Sequence, residues 1–394
     1  MSKTAQQARL PPQIFLVSME VGGNTSHSDV SRNPRNHSSR RGWPRWFAAL
    51  ILIGMLAGPD RVSGESTPRP TMTPPSSRVI VARDPEATEA FQAQPEKVRE
   101  LVRLGILKLT GETNSAKAWA SLVKPRDVVG IKVYSSPGQA SGTRPSVVAA
   151  VIEGLIEAGV PATNIVIWDR QKGDLRLSGF VDLANRYGTR AEGSVNTGFD
   201  EDTFYSPDTP ILGQLVWGDL EFGRKGEGIG RKSYVSKLVT KGMTKIINVT
   251  PLLNHNTAGV CGNLFSLALG SADNVMRFES DTRRLATAIP EIYALPSLGD
   301  RVVLNITDAL ICQYHGEQRS LLHYSTVLNE IRLSKDAVAL DFLSLRDLDR
   351  ERSRSGTVTS QYLSLTNYTE LIENAALLDL GRGDSESIKI ERVP

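Results

Sequence analysis

The sequence predicts an α/β protein with a mostly parallel sheet, helices on both faces and a loop-rich insertion. From residue 78 onward, short runs rich in β-branched residues alternate with longer runs of helical periodicity. Such alternation forms βαβ units, whose parallel sheet is covered by helices on both faces. The chain has 394 residues, 40% hydrophobic and 23% charged, which is typical of a globular protein. Two cysteines are too few for a disulfide framework.

The elements are predicted in chain order from these runs. Strands are expected at 78–82, 128–133, 165–168, 245–249, 301–307 and 327–333, and helices at 95–109, 145–158, 337–350 and 368–378. The first helix places Val98, Leu101 and Val102 on one face. Pro145 suits the first turn of its helix, because the N–H that proline lacks would be unpaired there anyway.

Residues 188–237 are rich in glycine and aromatic residues and have weak periodicity. We predict a loop-rich insertion over the sheet, where binding residues tend to lie. Its stretch Gly-Glu-Gly-Ile-Gly-Arg-Lys-Ser at 226–233 does not have the glycine spacing of a phosphate loop or of a dinucleotide-binding turn. It remains a basic glycine loop that suits an anionic ligand.

The positive charge of the chain is concentrated at its N-terminus. The whole sequence has a net charge of +3, and residues 1–64 hold eight basic and three acidic residues. The remaining residues, 38 basic and 40 acidic, have a net charge of −2. We therefore expect no basic surface for nucleic acid.

The N-terminal segment has the pattern of an export signal. A polar, arginine-containing stretch predicted to be disordered ends in Ser39-Arg40-Arg41-Gly42-Trp43, and an apolar run follows at 46–57. The arginine pair is similar to a twin-arginine signal, which predicts export by that machinery to the periplasm or the outer face of the cell membrane. The run is shorter than the ~20 residues of a spanning helix, so the membrane is involved only if this segment stays uncleaved as an anchor.

Three parts of the chain are therefore predicted. Residues 1–64 form the signal with its disordered extension. Residues 65–77, rich in Pro, Ser and Thr, form a stiff linker, and residues 78–394 form a single α/β domain.

The first candidate site follows the strand at 128–133. Thr143 can cap the helix that begins at Pro145, which leaves Arg144 and free N–H groups at a helix N-terminus. Ligands of open α/β sheets bind beyond the carboxyl ends of the strands. We predict that Thr143 and Arg144 bind a small anionic ligand; the alternative is a capped helix with a surface arginine.

The second candidate is Asp169-Arg170, directly after the strand at 165–168. A carboxylate and a guanidinium at the end of a buried strand can position a ligand, or they can pair with each other.

The third candidate is a group of potential metal ligands. All three histidines and both cysteines beyond residue 64 fall within residues 255–323. Imidazole and thiolate suit zinc, copper or iron, so His255, Cys261, Cys312 and His315 are a candidate metal site. The alternatives are cysteines that only pack in the core and a His255 that transfers protons without a metal.

Several stretches resemble domain-of-unknown-function family 362. They are Val129-Gly130-Ile131-Lys132, Thr143-Arg144-Pro145, Glu157-Ala158-Gly159-Val160, Trp168-Asp169-Arg170, Ile247-Asn248-Val249-Thr250-Pro251, His255 to Gly259, Leu269-Gly270-Ser271, Ile306-Thr307-Asp308-Ala309 and Ser334 to Asp341. The resemblance covers about residues 80–380. Family members often carry twin-arginine signals, and some add a ferredoxin-like iron–sulfur domain, which needs clustered cysteines that this chain lacks. The chain also has Leu253 and Phe265-Ser266 where the family commonly has lysine and a Lys-Asn pair.

Together these observations predict an exported, cofactor-dependent enzyme, with redox chemistry as one option, that acts on a small anionic ligand. In this hypothesis Arg144 holds the anion, His255 transfers a proton and Asp308 orients His255. Lys132 is the third predicted catalytic residue, and Asp169, Arg170, Asn254 and Asn256 are further residues predicted to bind the ligand. The cofactor is unknown; a transition metal is the candidate, because the twin-arginine pathway carries folded cargo. A non-catalytic periplasmic binding protein and an envelope assembly factor are the alternatives.

Overall fold

A mixed, mostly parallel sheet of nine strands forms the centre of the fold. The structure is a computed structural model, and it describes residues 76–207, 216–279, 281–316, 319–356 and 368–394. In chain order the strands are β1 (Ser77–Arg83), β2 (Thr88–Glu89), β3 (Gln92–Ala93), β4 (Val129–Val133), β5 (Ile165–Asp169), β6 (Arg190–Gly193), β7 (Phe199–Tyr205), β8 (Ser233–Ser236), β9 (Lys245–His255), β10 (Gly259–Val260), β11 (Val302–Gln313), β12 (Ser325–Ser334) and β13 (Ile388–Val393). The sheet has the order β13-β1-β12-β11-β9-β4-β5-β6, with β10 beside β9. Only β12 and β10 run antiparallel to their neighbours in it.

The α-helices of the described residues are α1 (Pro95–Thr110), α2 (Ser115–Ala120), α3 (Pro145–Glu157), α4 (Lys172–Leu177), α5 (Phe180–Tyr187), α6 (Ser194–Thr197), α7 (Trp217–Glu221), α8 (Lys237–Thr240), α9 (Asn263–Ser271), α10 (Met276–Glu279), α11 (Thr282–Tyr293), α12 (Ala337–Arg354) and α13 (Thr369–Leu377). None of these helices is long and apolar enough to cross a membrane. The predicted signal lies outside the described residues, as does the predicted linker up to residue 75.

Helices cover both faces of the sheet. Ile165 and Ile167 of β5 pack in a cluster with residues of α1, α2, α3 and α5, whereas Val166 and Trp168 pack with residues of α9, α11, α12 and α13. Successive side chains of a strand point to opposite faces, so a strand buried on both faces must be apolar nearly throughout. The predicted α/β class with a mostly parallel sheet is confirmed.

The predicted strands and helices are all present, and two strands, β9 and β11, extend six residues beyond their predicted ends. Val249 of β9 is level with Val133, the last residue of β4, and β9 continues for six residues beyond it. β11 likewise runs on to Gln313. His255 is the last residue of β9, and its ring packs against Phe265, with 4.4 Å between the ring centres.

The stretch predicted as a loop-rich insertion contains regular structure. β6 extends the main sheet beside β5, and β7 pairs with β8 in a separate two-stranded sheet. β6 and β8 have four residues each, and β7 begins with Phe-Asp-Glu-Asp, so none of them shows the sustained apolar alternation that predicts a strand.

Candidate functional site

Lys132 is buried at the carboxyl end of β4 and is fully hydrogen-bonded. Its Nζ donates to the Val133 carbonyl at 2.6 Å, to Asp169 Oδ1 at 2.8 Å and to Ser266 Oγ at 2.9 Å. An ammonium has three N–H donors, so all of them are used. Burial lowers the pKa of Lys132, and the Asp169 carboxylate acts in the opposite direction. Three hydrogen-bond acceptors around Nζ favour the protonated, positively charged form of Lys132.

Asp169, the last residue of β5, is also fully used by the chain. Its Oδ1 accepts from Lys132 and from the Arg170 N–H at 2.8 Å. Its Oδ2 accepts from the N–H and the Oγ of Ser135, at 2.8 and 2.6 Å. A carboxylate has about four acceptor positions, and all four are occupied here. The Lys132–Asp169 pair therefore ties β4 to β5.

Arg144 does not face an empty anion site. Its Nη1 lies 2.9 Å from Asp308 Oδ1, and its backbone N–H donates to Asp308 Oδ2 at 3.1 Å. Both side chains are buried. The N-terminus of α3 thus holds a carboxylate, as predicted for that position, but the carboxylate belongs to the chain itself. Thr143 does not cap the helix either, because its hydroxyl donates to the Val249 carbonyl at 2.8 Å and accepts from the Tyr134 N–H.

His255 does not have the partners predicted for a proton-transfer residue. Its Nδ1 accepts from the N–H groups of Thr257 and Ala258, at 3.2 and 3.0 Å, so the neutral ring carries its proton on Nε2. Burial lowers the pKa of His255 to about 4. The predicted pairing with Asp308 is absent, because Asp308 is bonded to Arg144 instead.

The other residues predicted around His255 bond locally. The side-chain amide of Asn254 donates to Asn256 Oδ1 at 3.1 Å, and the Cys261 thiol lies 3.7 Å from the Asn254 carbonyl.

The four predicted metal ligands, His255, Cys261, Cys312 and His315, are not brought together. Within the described ranges, no group of three or more His, Cys, Asp or Glu side chains could hold a metal ion. Cys312 lies in the core, where burial raises the pKa of its thiol. His315 packs against the rings of Tyr314 and Tyr324. These residues are close in the sequence, which suggested a common site, but the structure does not bring three of them together.

A pocket of about 300 Å³ opens at the carboxyl ends of β4 and β5, above the Lys132–Asp169 pair. Asp169, Ser266 and Gly270 form part of its lining, and Trp217 and Phe265 contribute aromatic surface. This is the edge at which ligands bind in open α/β sheets.

Arg170 lines this pocket with its hydrogen-bonding capacity largely unused. Its Nε is buried and has no hydrogen-bond partner among the described residues. Its Nη1 lies 3.5 Å from Glu279 Oε1, and its guanidinium carbon lies 5.5 Å from the centre of the Trp217 ring. Its side chain is only 21% exposed. Burial lowers the pKa of Arg170, since few groups replace its lost hydration.

Two carboxyl groups complete the charged wall of the pocket. Burial raises the pKa of Glu279, with Arg170 acting in the opposite direction. Burial and the neighbouring Asp169 charge raise the pKa of Asp174. A cationic group placed between them would stabilise both carboxylates. We call Arg170, Asp174, Trp217 and Glu279 the pocket wall.

Of the pocket wall, the sequence predicted Arg170 alone. Trp217 lies in the stretch predicted to hold binding residues, and Asp174 lies four residues after Arg170, in the first turn of α4. Nothing in the sequence pointed to Glu279, because α10 is only four residues long.

Comparison with known proteins adds little. No protein-family model and no curated protein matches the chain. A crystal structure of a protein from Thermotoga maritima is similar at 12% identity, with a TM-score of 0.37. The match covers 70% of this chain and 62% of that protein, less than two thirds of its length. A likeness at this level carries no functional argument.

Proposed function

We propose that this protein binds a small carboxylate-bearing molecule in the pocket at the ends of β4 and β5, with Arg170 as its anchor. The observation that carries the proposal is the largely buried Arg170 guanidinium, whose Nε has no partner among the described residues. A guanidinium presents a planar fork of donors that matches a carboxylate bidentately. Leaving such a group underused inside a protein is unfavourable, and a bound anion would supply the absent acceptors.

The ligand carries an ammonium group as well. A ligand carboxylate would replace Glu279 as the partner of Arg170, since the present contact of 3.5 Å is an ion pair and not a short hydrogen bond. Glu279 and Asp174 would then face a ligand ammonium. Trp217 and Phe265 offer apolar surface for the remainder. About 300 Å³ is at the small end of the usual range of ligand sites, so an amino acid with an apolar side chain fits this description.

The hydrogen bonding supports a binding protein over an enzyme. Lys132 and Asp308, two of the three residues predicted to be catalytic, and Asp169, predicted to bind the ligand, have their donors or acceptors occupied by the chain. Groups whose hydrogen bonds are made within the chain hold the fold together. The charged side chains of the pocket wall, in contrast, keep charge that can interact with a ligand. The export signal, which would make this a periplasmic binding protein, and the resemblance to family 362 both remain predictions.

Isothermal titration of the full chain tests the proposal. The probes are leucine, its deaminated analogue 4-methylpentanoate and its decarboxylated analogue 3-methylbutylamine, with phenylalanine and methionine as further amino acids. We expect at least one amino acid to bind saturably and more tightly than either analogue of leucine.

Two variants sharpen this test. Arg170→Met should weaken binding by about 10-fold to 100-fold, because hydrogen bonds between charged groups are lost. Arg176→Met is the matched control, since Arg176 is an exposed residue of α4 that does not line the pocket. Absence of binding for every amino acid at millimolar concentration, or equal affinity in Arg170→Met, would contradict the proposal.

A further inference from the structure

A second cavity lies on another part of the molecule, between α12 and the strands β12, β1 and β13. Its volume is about 440 Å³, and four arginines line it: Arg332, Arg346, Arg350 and Arg392. We call it the arginine groove. Val81, Leu343 and Ile390 provide its apolar surface. None of its residues belongs to the pocket wall or to the Lys132–Asp169 pair.

The strand register explains how the arginines converge. Val81 of β1 is level with Arg332 of β12 on one side and with Arg392 of β13 on the other. Partners in register point to the same face of a sheet, so these three side chains form a row. Arg346 and Arg350 are four residues apart on α12, which places them on one side of the helix above that row.

Two of the four arginines are held firmly by carboxylates. Arg332 is buried, and its Nη2 lies 2.6 Å from Glu330 and 2.5 Å from Asp347. Arg350 lies 2.5 Å from the other oxygen of Asp347. This ion-pair network defines the base of the groove.

The other two arginines have no close carboxylate partner among the residues that the structure describes. The nearest carboxylate to Arg392 is Glu330, at 3.9 Å, which is too long for a hydrogen bond, and the Arg392 side chain is 69% exposed. Arg346 donates to a neutral group, the Ser385 hydroxyl, at 2.6 Å. Four guanidinium groups and two carboxylates line the cavity, and Arg350 also pairs with Glu351 at 3.0 Å. Arg346 and Arg392 are therefore the two cations of the groove whose charge is least compensated.

We propose that the arginine groove binds a phosphate group, as inorganic phosphate or as the phosphomonoester of a small organic molecule. Arg346 and Arg392 donate to the phosphate oxygens, and the Arg332 network keeps the base of the groove rigid. A phosphate dianion matches the two cations Arg346 and Arg392, and arginine is well suited to bidentate phosphate recognition. The partly exposed Ile390, next to the cations, suits an organic substituent and therefore favours the ester.

Calorimetric titration of the full chain at constant ionic strength, with inorganic phosphate and with phenyl phosphate, tests this site. We expect saturable binding that is tighter at pH 8 than at pH 5. The second pKa of a phosphomonoester is about 6, that of inorganic phosphate is higher, and the dianion is the matching species. Tighter binding of phenyl phosphate identifies the ester as the ligand class. Equal affinity for the two probes would overturn the role given to Ile390 while supporting the phosphate site.

Variants distinguish binding in the arginine groove from attraction of phosphate by other positive charges on the surface. Arg346→Gln and Arg392→Gln should each lower the affinity about tenfold or more, and the double variant should abolish binding. Both residues are exposed, so folding is expected to be unaffected. Arg354→Gln, at another exposed position on α12, should bind like the unmodified protein. Failure of both probes to bind saturably, or unchanged affinity in the double variant, would overturn the proposal.

Discussion

Asp169 and Arg170 are neighbours in the chain, yet they belong to two regions with different hydrogen bonding. Asp169 is part of what we call the saturated cluster, namely Lys132, Ser135, Asp169 and Ser266 together with the Arg144–Asp308 pair. Arg170 belongs to the pocket wall, where donors remain unused. Both regions are largely buried, charged and located at the carboxyl edge of the sheet. Burial and charge are therefore common to both regions, and the number of satisfied donors and acceptors is what distinguishes them.

The largest expected effect comes from breaking the Arg144–Asp308 pair. Arg144→Met leaves the fully buried Asp308 carboxylate without its cation, and we expect the free energy of unfolding to fall by about 3–5 kcal/mol. Urea denaturation measures this loss. The double variant Arg144→Met/Asp308→Leu should recover a large part of it, because no buried charge is then left alone. A loss below about 1 kcal/mol in the single variant would contradict the assignment of this pair to the scaffold.

The next effect concerns the pH dependence of stability. The folded-state pKa of His255 is about 4, below the unfolded value of 6.5. Between these values the unfolded state binds more protons, so the stability contribution of neutral His255 is complete above pH 6.5 and is lost as the pH falls towards 4. Its size is about 3 kcal/mol.

The variant His255→Gln removes this titration. Comparing urea denaturation at pH 7 and pH 4, we expect the unmodified protein to lose about 3 kcal/mol more than the variant. Asp273 and Asp341, whose pKa values burial raises to about 6, oppose this trend, but they are common to both proteins and cancel in the comparison. Equal losses would show that His255 is accessible to protons in the folded state.

A smaller loss of stability is expected from a substitution in α9, which packs against the saturated cluster. A Cβ at Gly270 would overlap Lys132 Cε and lie 2.8 Å from its Nζ. Lys132 cannot move aside without losing its three hydrogen bonds, so Gly270→Ala should cost about 1–3 kcal/mol. Gly173→Ala in α4 is the control, because a Cβ there meets nothing within 4 Å. Alanine is the better helix former, so the thermal midpoint of the control should be unchanged or slightly raised. An equal change in both variants would contradict the close-packing argument.

The smallest effect on stability is expected in the pocket wall. Arg170→Met should change the free energy of unfolding by less than about 1 kcal/mol, since the residue contributes one loose ion pair and one contact with an aromatic ring. The same substitution is expected to weaken ligand binding strongly. A large stability loss with unchanged binding would place Arg170 in the saturated cluster and remove the basis of the comparison.

Much of the fold was predictable because it depends on local patterns. The runs 128–133 and 165–168 are strands because short apolar segments must be buried on both faces, and the helix at 145–158 begins where proline permits it. β13 was missed, since an edge strand with the sequence Ile-Lys-Ile-Glu-Arg-Val carries many exposed polar side chains and lacks an apolar run.

The sequence by itself determined the α/β class and the edge of the sheet at which Lys132, Arg144, Asp169 and Arg170 gather, because strand ends follow from chain-local periodicity. Only the tertiary structure decided which of them have partners. Asp308 lies 164 residues after Arg144, and Ser266 lies 134 residues after Lys132, so no local pattern could pair them. A hydrogen bond forms only between groups that are close in space. The packing of α9 and β11 against β4 and α3 brings such partners to Lys132 and Arg144, whereas Arg170 faces the pocket.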